Sequence, residues 1–124
     1  MKFTNKQYVR WDDLDAFGHV NNAKYLTYAQ EARFVMTGMF EMVVARAEVD
    51  FVAPIYDGNI FLDVDIWVKS IGTSSFILAY EIKNGDQVVA KITTVQVAVD
   101  MATKKSAPLS EEHRSFLTKY LEVE

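Results

Sequence analysis

The densest run of reactive side chains is Trp11-Asp12-Asp13-Leu14-Asp15-Ala16-Phe17-Gly18-His19-Val20-Asn21-Asn22, where three carboxylates, one imidazole and two carboxamides fall in a single stretch. A carboxylate in such a loop can attack a carbonyl or take a proton from water. If a helix starts at the end of the run, its first backbone N–H groups are unpaired donors. Together with the helix dipole they can hold a developing oxyanion. The same residue types also serve purely backbone needs, since Asp and Asn shape turns and Asn22 is a candidate helix cap. Residue types and spacing alone leave both readings open.

Other reactive groups are more scattered. His19 can act as a general acid, as a partner of Asp15 or as a packed loop residue. Tyr25 and Tyr28 can line a ligand pocket or fill a core. Glu31 falls on the polar side of its helix, where a solvated or ion-paired role is expected, and His113 falls in a terminal helix where it should face solvent. The chain has no cysteine, which excludes disulfides, thiolate zinc sites and cysteine nucleophiles. With only two histidines, far apart, and no H-E-x-x-H pattern, no metal site is expected. No glycine-rich phosphate loop is present; Lys69, Lys83, Lys91, Lys104 and Lys105 are the candidates for phosphate contacts.

Net charge is −4 and the isoelectric point about 5.2, so no nucleic-acid surface is expected. The longest apolar run, Phe51 to Tyr56, contains Pro54 and is far short of the ~20 residues of a spanning helix, so no membrane is expected as a partner. Met1 to Gln7 has no apolar signal core, which makes a soluble cytoplasmic protein the expectation. At 124 residues with 50% hydrophobic content, one globular domain over residues 1–124 is expected.

The elements that must position the reactive loop follow from periodicity. Tyr8 to Asp13 is strand-prone. From Asn22 to about Gly38, Tyr25, Tyr28, Ala29, Ala32, Val35, Met36 and Met39 keep helical spacing, with Asn22 as cap and Gly38 at the end. Ala47 to Ala53, Leu62 to Val68 and Phe76 to Ile82 alternate as strands, with Pro54 closing the first. Asn84-Gly85 is a strong hairpin signal and leads into a long strand from Gln87 to about Met101. Val89, Val95, Val97 and Val99 are expected on an apolar sheet face that some partner covers. Ser110 caps a second helix. The order is strand, long helix, four strands in meander, short helix: an α+β layer.

Arg10-Trp11-x-Asp13-x-Asp15-x-x-Gly18-His19-Val20-Asn21-Asn22-x-x-Tyr25-x-x-Tyr28-x-x-x-Ala32-Arg33 resembles the signature of hotdog-fold acyl-coenzyme A thioesterases, of the 4-hydroxybenzoyl-coenzyme A thioesterase type. Pro54, the Ile71-Gly72-Thr73-Ser74-Ser75 turn and the Pro108-Leu109 entry to the last helix extend the resemblance over nearly the whole chain. It implies a hotdog fold, a long central helix packed against a curved antiparallel sheet, with a short terminal helix. It also implies hydrolysis of an acyl-coenzyme A thioester, with no separate cofactor because coenzyme A enters within the substrate. Asp15 matches the catalytic aspartate, as nucleophile or general base. Asn22 matches the position whose backbone N–H is the oxyanion donor, and Asp13 matches a structural acid. His19, Tyr25 and Ser74 are the expected substrate contacts. A site shared between subunits implies a homodimer or homotetramer. The alternatives are a hotdog hydratase or dehydratase, a non-catalytic acyl-coenzyme A binder, and a cone-shaped α+β isomerase fold.

Overall fold

The computed structural model describes residues 1–38 and 40–122. Met39, expected on the apolar arc of the long helix, lies outside the described residues. Strand β1 (Phe3–Val9) leads through a short 3-10 turn (Trp11–Asp13) and a loop into helix α1 (Asn22–Thr37). Strands β2 (Met42–Phe51), β3 (Ile60–Ile71), β4 (Ser75–Asn84) and β5 (Gln87–Asp100) follow, then a two-residue strand β6 (Lys105–Ser106) and helix α2 (Glu111–Thr118). All strand pairs are antiparallel. Register shifts in β2, β3 and between β4 and β5 mark bulges, which bend strands and curl the sheet about α1.

The first strand starts earlier than Tyr8 because its inward positions are partly polar, which hides the alternation. Asn5 turns toward the helix, where its amide donates to the Ala32 carbonyl at 3.3 Å, and Gln7 donates to Asn5. The meander is the larger correction. The sheet order is β1-β3-β4-β5-β2, so β3, β4 and β5 run as neighbours while β2 crosses to the far edge and pairs with β5. Alternation identifies a strand but not its partner. Residues 52–59 make the crossing. Three strand spacings are about 14 Å, well within the reach of eight residues at ~3.3 Å each. Ile55 in that crossing is fully buried.

Helix α1 buries Tyr25, Tyr28, Ala29, Ala32 and Met36 against β-strand side chains such as Leu62, Val64, Leu78 and Ile92. Burying each Val-to-Phe-sized side chain is worth about 1.5–3 kcal/mol, and this stripe holds the helix to the sheet. Val35, expected on the same arc, is 61% exposed, and so are Phe34 and Leu26 in large part. The helix packs mainly over β1 and β3, so its other flank, and the edge strand β2 beside it, stand uncovered. In β5, Val95, Val97 and Val99 lie half-buried on the outer face. Val89 does not join them. A bulge pairs Ile82 with Ala90 and Lys83 with Val88, skipping Val89, which turns in and is fully buried. His113 also departs from expectation. It lies one turn before buried Leu117 on α2 and stacks on Phe40, ring centroids 3.8 Å apart. Among the described residues no helix is long and apolar enough to cross a membrane.

Candidate functional site

The loop from Arg10 to Asn21 is tied down at several points. Asp13, 6% exposed, accepts the Arg10 N–H at 3.0 Å and the Tyr28 hydroxyl at 2.8 Å on one carboxylate oxygen, while Lys24 Nζ lies 3.7 Å from the other. Its carbonyl accepts the Asn21 N–H at 3.0 Å. Burial first, then the bond to the Asp13 carboxylate, push the Tyr28 phenol well above its ordinary pKa, so it stays a donor. From the crossing segment, the Ile55 carbonyl accepts the Val20 N–H at 2.8 Å. Gly58 sits so close that a Cβ there would meet Trp11 Cα at 2.9 Å. The crossing of β2 to the sheet edge is thus what buttresses the loop from below.

Asp13 is the residue that fastens the loop to α1. Tyr28→Phe should leave its buried carboxylate short of a donor and lower stability by about 1.5–3 kcal/mol, the range for hydrogen bonds to charged groups. Urea unfolding checks this: the urea midpoint should fall, and an unchanged midpoint would contradict it.

Between these ties the chain makes a tight reversal. Asp15 N–H donates to the His19 carbonyl at 2.9 Å, and Gly18 N–H donates to the Asp15 carbonyl at 3.0 Å. Gly18 has φ +81°, a left-handed conformation that favours glycine. One Asp15 carboxylate oxygen accepts the Phe17 N–H at 2.9 Å, and the other lies 3.8 Å from His19 Nδ1. The Asp15 side chain keeps 26% of its surface accessible, where Asp13 keeps 9%. The two acids are therefore divided between an accessible and a tethered role. His19 Nδ1 also lies 3.3 Å from its neighbour's carbonyl at Val20, and its ring stands between Phe17 and Tyr56 at centroid distances of 6.3 and 6.4 Å.

The helix cap is Asn21, not Asn22. Asn21 Oδ1 accepts the Ala23 N–H at 2.9 Å, which makes Asn22 the first helical residue. Either asparagine can cap; the bonds holding Val20 to Ile55 and Asn21 to Asp13 select the first. Asn22 is exposed, and among the described residues nothing accepts its N–H, as expected at the first position of a helix.

A cavity of about 250 Å³ opens at this helix end, lined by His19, Asn22, Tyr25, Phe51, Val52 and Pro54 among others. Asp15 is not among the lining residues; its carboxylate lies 3.8 Å from His19, which is. Tyr25 is 2% exposed and packs on Phe51, ring centroids 5.2 Å apart, so it serves core and cavity together. Ser74 is not brought to this place. It lies in the β3–β4 turn, where its carbonyl accepts the Ala98 N–H. That turn is at the far end of β3, about 36 Å along the strand from the Ile60 end at ~3.3 Å per residue. Of the lysines, Lys83 is taken by Asp65 at 3.0 Å, and Lys69 and Lys91 flank Trp67 on the outer sheet face. Sequence reading missed Phe17, Tyr56 and Phe51 as site residues; a cluster of aromatics flanking the acidic loop was the available signal. No three metal-ligating side chains gather among the described residues.

Comparisons with known proteins identify the family and the fold. A family model of the thioesterase-like superfamily matches residues 9–117. The 1,4-dihydroxy-2-naphthoyl-CoA hydrolase of Nostoc punctiforme is 29% identical over 125 residues, covering 90% of this chain and 84% of that protein. A predicted thioesterase from Bacillus stearothermophilus superposes with a TM-score of 0.92 at 25% identity, covering 100% of this chain and 99% of that one. A thioesterase from Thermus thermophilus, crystallised with coenzyme A and zinc, gives 0.85 at 30% identity, with 94% and 92% covered. The chain belongs to the thioesterase-like superfamily and carries the hotdog fold.

Proposed function

We propose that the chain hydrolyses acyl-coenzyme A thioesters to a carboxylic acid and the free thiol, at the end of α1. The observation that carries this reading is an accessible, oriented carboxylate in the loop that leads into an open helix N-terminus, 3.8 Å from the His19 that lines the cavity there. Asp15 drives attack on the thioester carbonyl, directly or through a water whose proton it takes. The Asn22 N–H, backed by the helix dipole, holds the oxygen as it gains charge. The C–S bond then breaks and coenzyme A leaves as a thiolate, which takes the proton that Asp15 removed from water or, after direct attack, a proton from solvent. On the direct route a water then hydrolyses the acyl–Asp15 anhydride, releasing the carboxylic acid and restoring the carboxylate. The test is a panel of acyl-coenzyme A esters with a thiol-reactive dye. Release of thiol supports the reading. Binding without release would make the protein a carrier, and consumption of an enoyl ester without thiol release would make it a hydratase.

The working unit in this reading is at least a homodimer. The cavity at α1 is smaller than the roughly 300–1,000 Å³ of small-molecule sites, and it opens along β2. That strand presents ten residues at the sheet edge, only Met42 and Val49 half-buried and the rest exposed. A long free edge with Val43, Val44 and Phe51 uncovered is a template for pairing. Antiparallel pairing of β2 with its copy continues the sheet and closes the cavity. Light scattering at micromolar concentration should report a dimer or larger; a fully active monomer contradicts the shared site.

A further inference from the structure

A second cavity, about 430 Å³, flanks the other end of β2. Its walls include Phe34, Phe40, Met42 and Val44, and its polar groups are Gln30 and Arg33. Arg33 is half-buried on α1, and its Nη1 donates to the Tyr80 hydroxyl at 2.9 Å. That hydroxyl is itself fixed. It lies 2.7 Å from Thr94 Oγ1, which accepts the Gln96 amide at 2.6 Å. Tyr80, Thr94 and Gln96 are 1%, 2% and 0% exposed, and Gln96 Oε1 has no hydrogen-bond partner among the described residues. Arg10 and Arg46 pair with Asp12 and Glu48, and Arg114 donates to the Gly72 carbonyl. No carboxylate among the described residues lies within 4.0 Å of the Arg33 guanidinium. A guanidinium has five N–H donors in a rigid fork and cannot shed its charge. One donor here is tied to Tyr80, and the fork is held beside apolar walls with no counter-charge. Such a group is built to receive an anion.

The two cavities lie at opposite ends of one edge strand: Phe51 and Val52 border the first, Met42 and Val44 the second. Antiparallel pairing of β2 with its copy sets opposite ends side by side. The first cavity of one copy then adjoins the second cavity of the other. We propose that Arg33 of the second copy is the specificity-determining residue of the site, receiving a carboxylate or other anionic oxygen at the far end of an apolar acyl group. Coenzyme A is held at the Asp15 end, the acyl body lies along the Phe34, Phe40 and Met42 walls, and the distal anion meets the guanidinium fork. Tyr80, steadied by Thr94 and Gln96, is its positioning residue. This inference rests on the thioesterase reading and on the paired β2 strands.

The experiment compares matched thioesters: benzoyl-coenzyme A with 4-carboxybenzoyl-coenzyme A, and hexanoyl-coenzyme A with 5-carboxypentanoyl-coenzyme A. The parent should favour the carboxylated member of each pair. Arg33→Leu should lower that preference roughly 10- to 100-fold, the worth of a hydrogen bond to a charged group, through KM rather than kcat. Arg33→Lys should recover part of the preference, and Tyr80→Phe should lose part of it. Equal losses on both members of a pair, or no change on either, overturn the proposal. So does dissociation of Arg33→Leu to monomers in light scattering, which would make Arg33 a seam residue. If Arg33→Leu does not fold, the Lys and Tyr80→Phe variants carry the comparison. If the parent releases no thiol from any ester, the thioesterase reading fails. Binding of terephthalate against benzoate, to the parent and to Arg33→Lys, then decides the anion site by itself: preference for terephthalate sustains it, and equal binding overturns it.

Discussion

Asp15→Asn is expected to lower kcat by at least ~10², the low end for removing a general base. The substitution keeps shape and removes charge. Asparagine's carbonyl oxygen can still accept the Phe17 N–H, so the reversal from Asp15 to Gly18 should persist and the melting temperature should move little. Substrate binding should change much less than turnover, because Asp15 is not among the residues that line the cavity. Asp13→Asn should show the opposite balance. That carboxylate accepts two hydrogen bonds on one oxygen in a buried setting, so its neutralisation should cost stability first and activity second. Turnover and urea midpoints measured on both variants check the division; the reverse ranking would show that the roles of the two acids are exchanged.

Asn22→Pro should remove about 10²–10³ in rate, as deleting one oxyanion donor does. The fold should tolerate it. Asn22 is the first residue of α1, and proline is favoured at that position because its missing N–H has no helical partner and its fixed φ suits the helix. Asn22→Ala keeps the N–H and loses only an exposed side chain, so turnover and melting temperature should both stay near the parent. The capping cost falls on Asn21 instead. Asn21→Ala should lower stability by about 0.5–2 kcal/mol. Loss of turnover in Asn22→Ala with unchanged melting would make the side chain the active group and overturn the backbone-donor assignment.

Much of the site is legible in the sequence because its pieces are contiguous. The acids, Gly18, His19 and the start of α1 fall within one run, and a helix after a polar loop must leave N–H groups open. The one-residue error in the cap arose because Asn21 and Asn22 are chemically equal, and bonds from Ile55 and Asp13 choose between them. Groups joined only by topology were hidden. Arg33, Tyr80, Thr94 and Gln96 sit on α1, β4 and β5, and no local pattern unites them. Their trace is that Thr94 and Gln96 occupy inward positions of a strand whose neighbours there, Ile92 and Ala98, are apolar. The edge position of β2 was hidden for the same reason, and Val89 because a single bulge inverts the alternation. His113 misled because its helix was read without the aromatic ring that Phe40 brings to it.

The central claim is that one carboxylate and one helix end together cleave a thioester. The most direct measurement follows thiol and carboxylic acid released from the same acyl-coenzyme A ester, by the parent and by Asp15→Asn side by side. The account predicts equal molar amounts of both products from the parent and a rate at least ~10² lower from the variant. Thiol release by Asp15→Asn at the parent rate, or loss of ester by the parent without thiol, would contradict it.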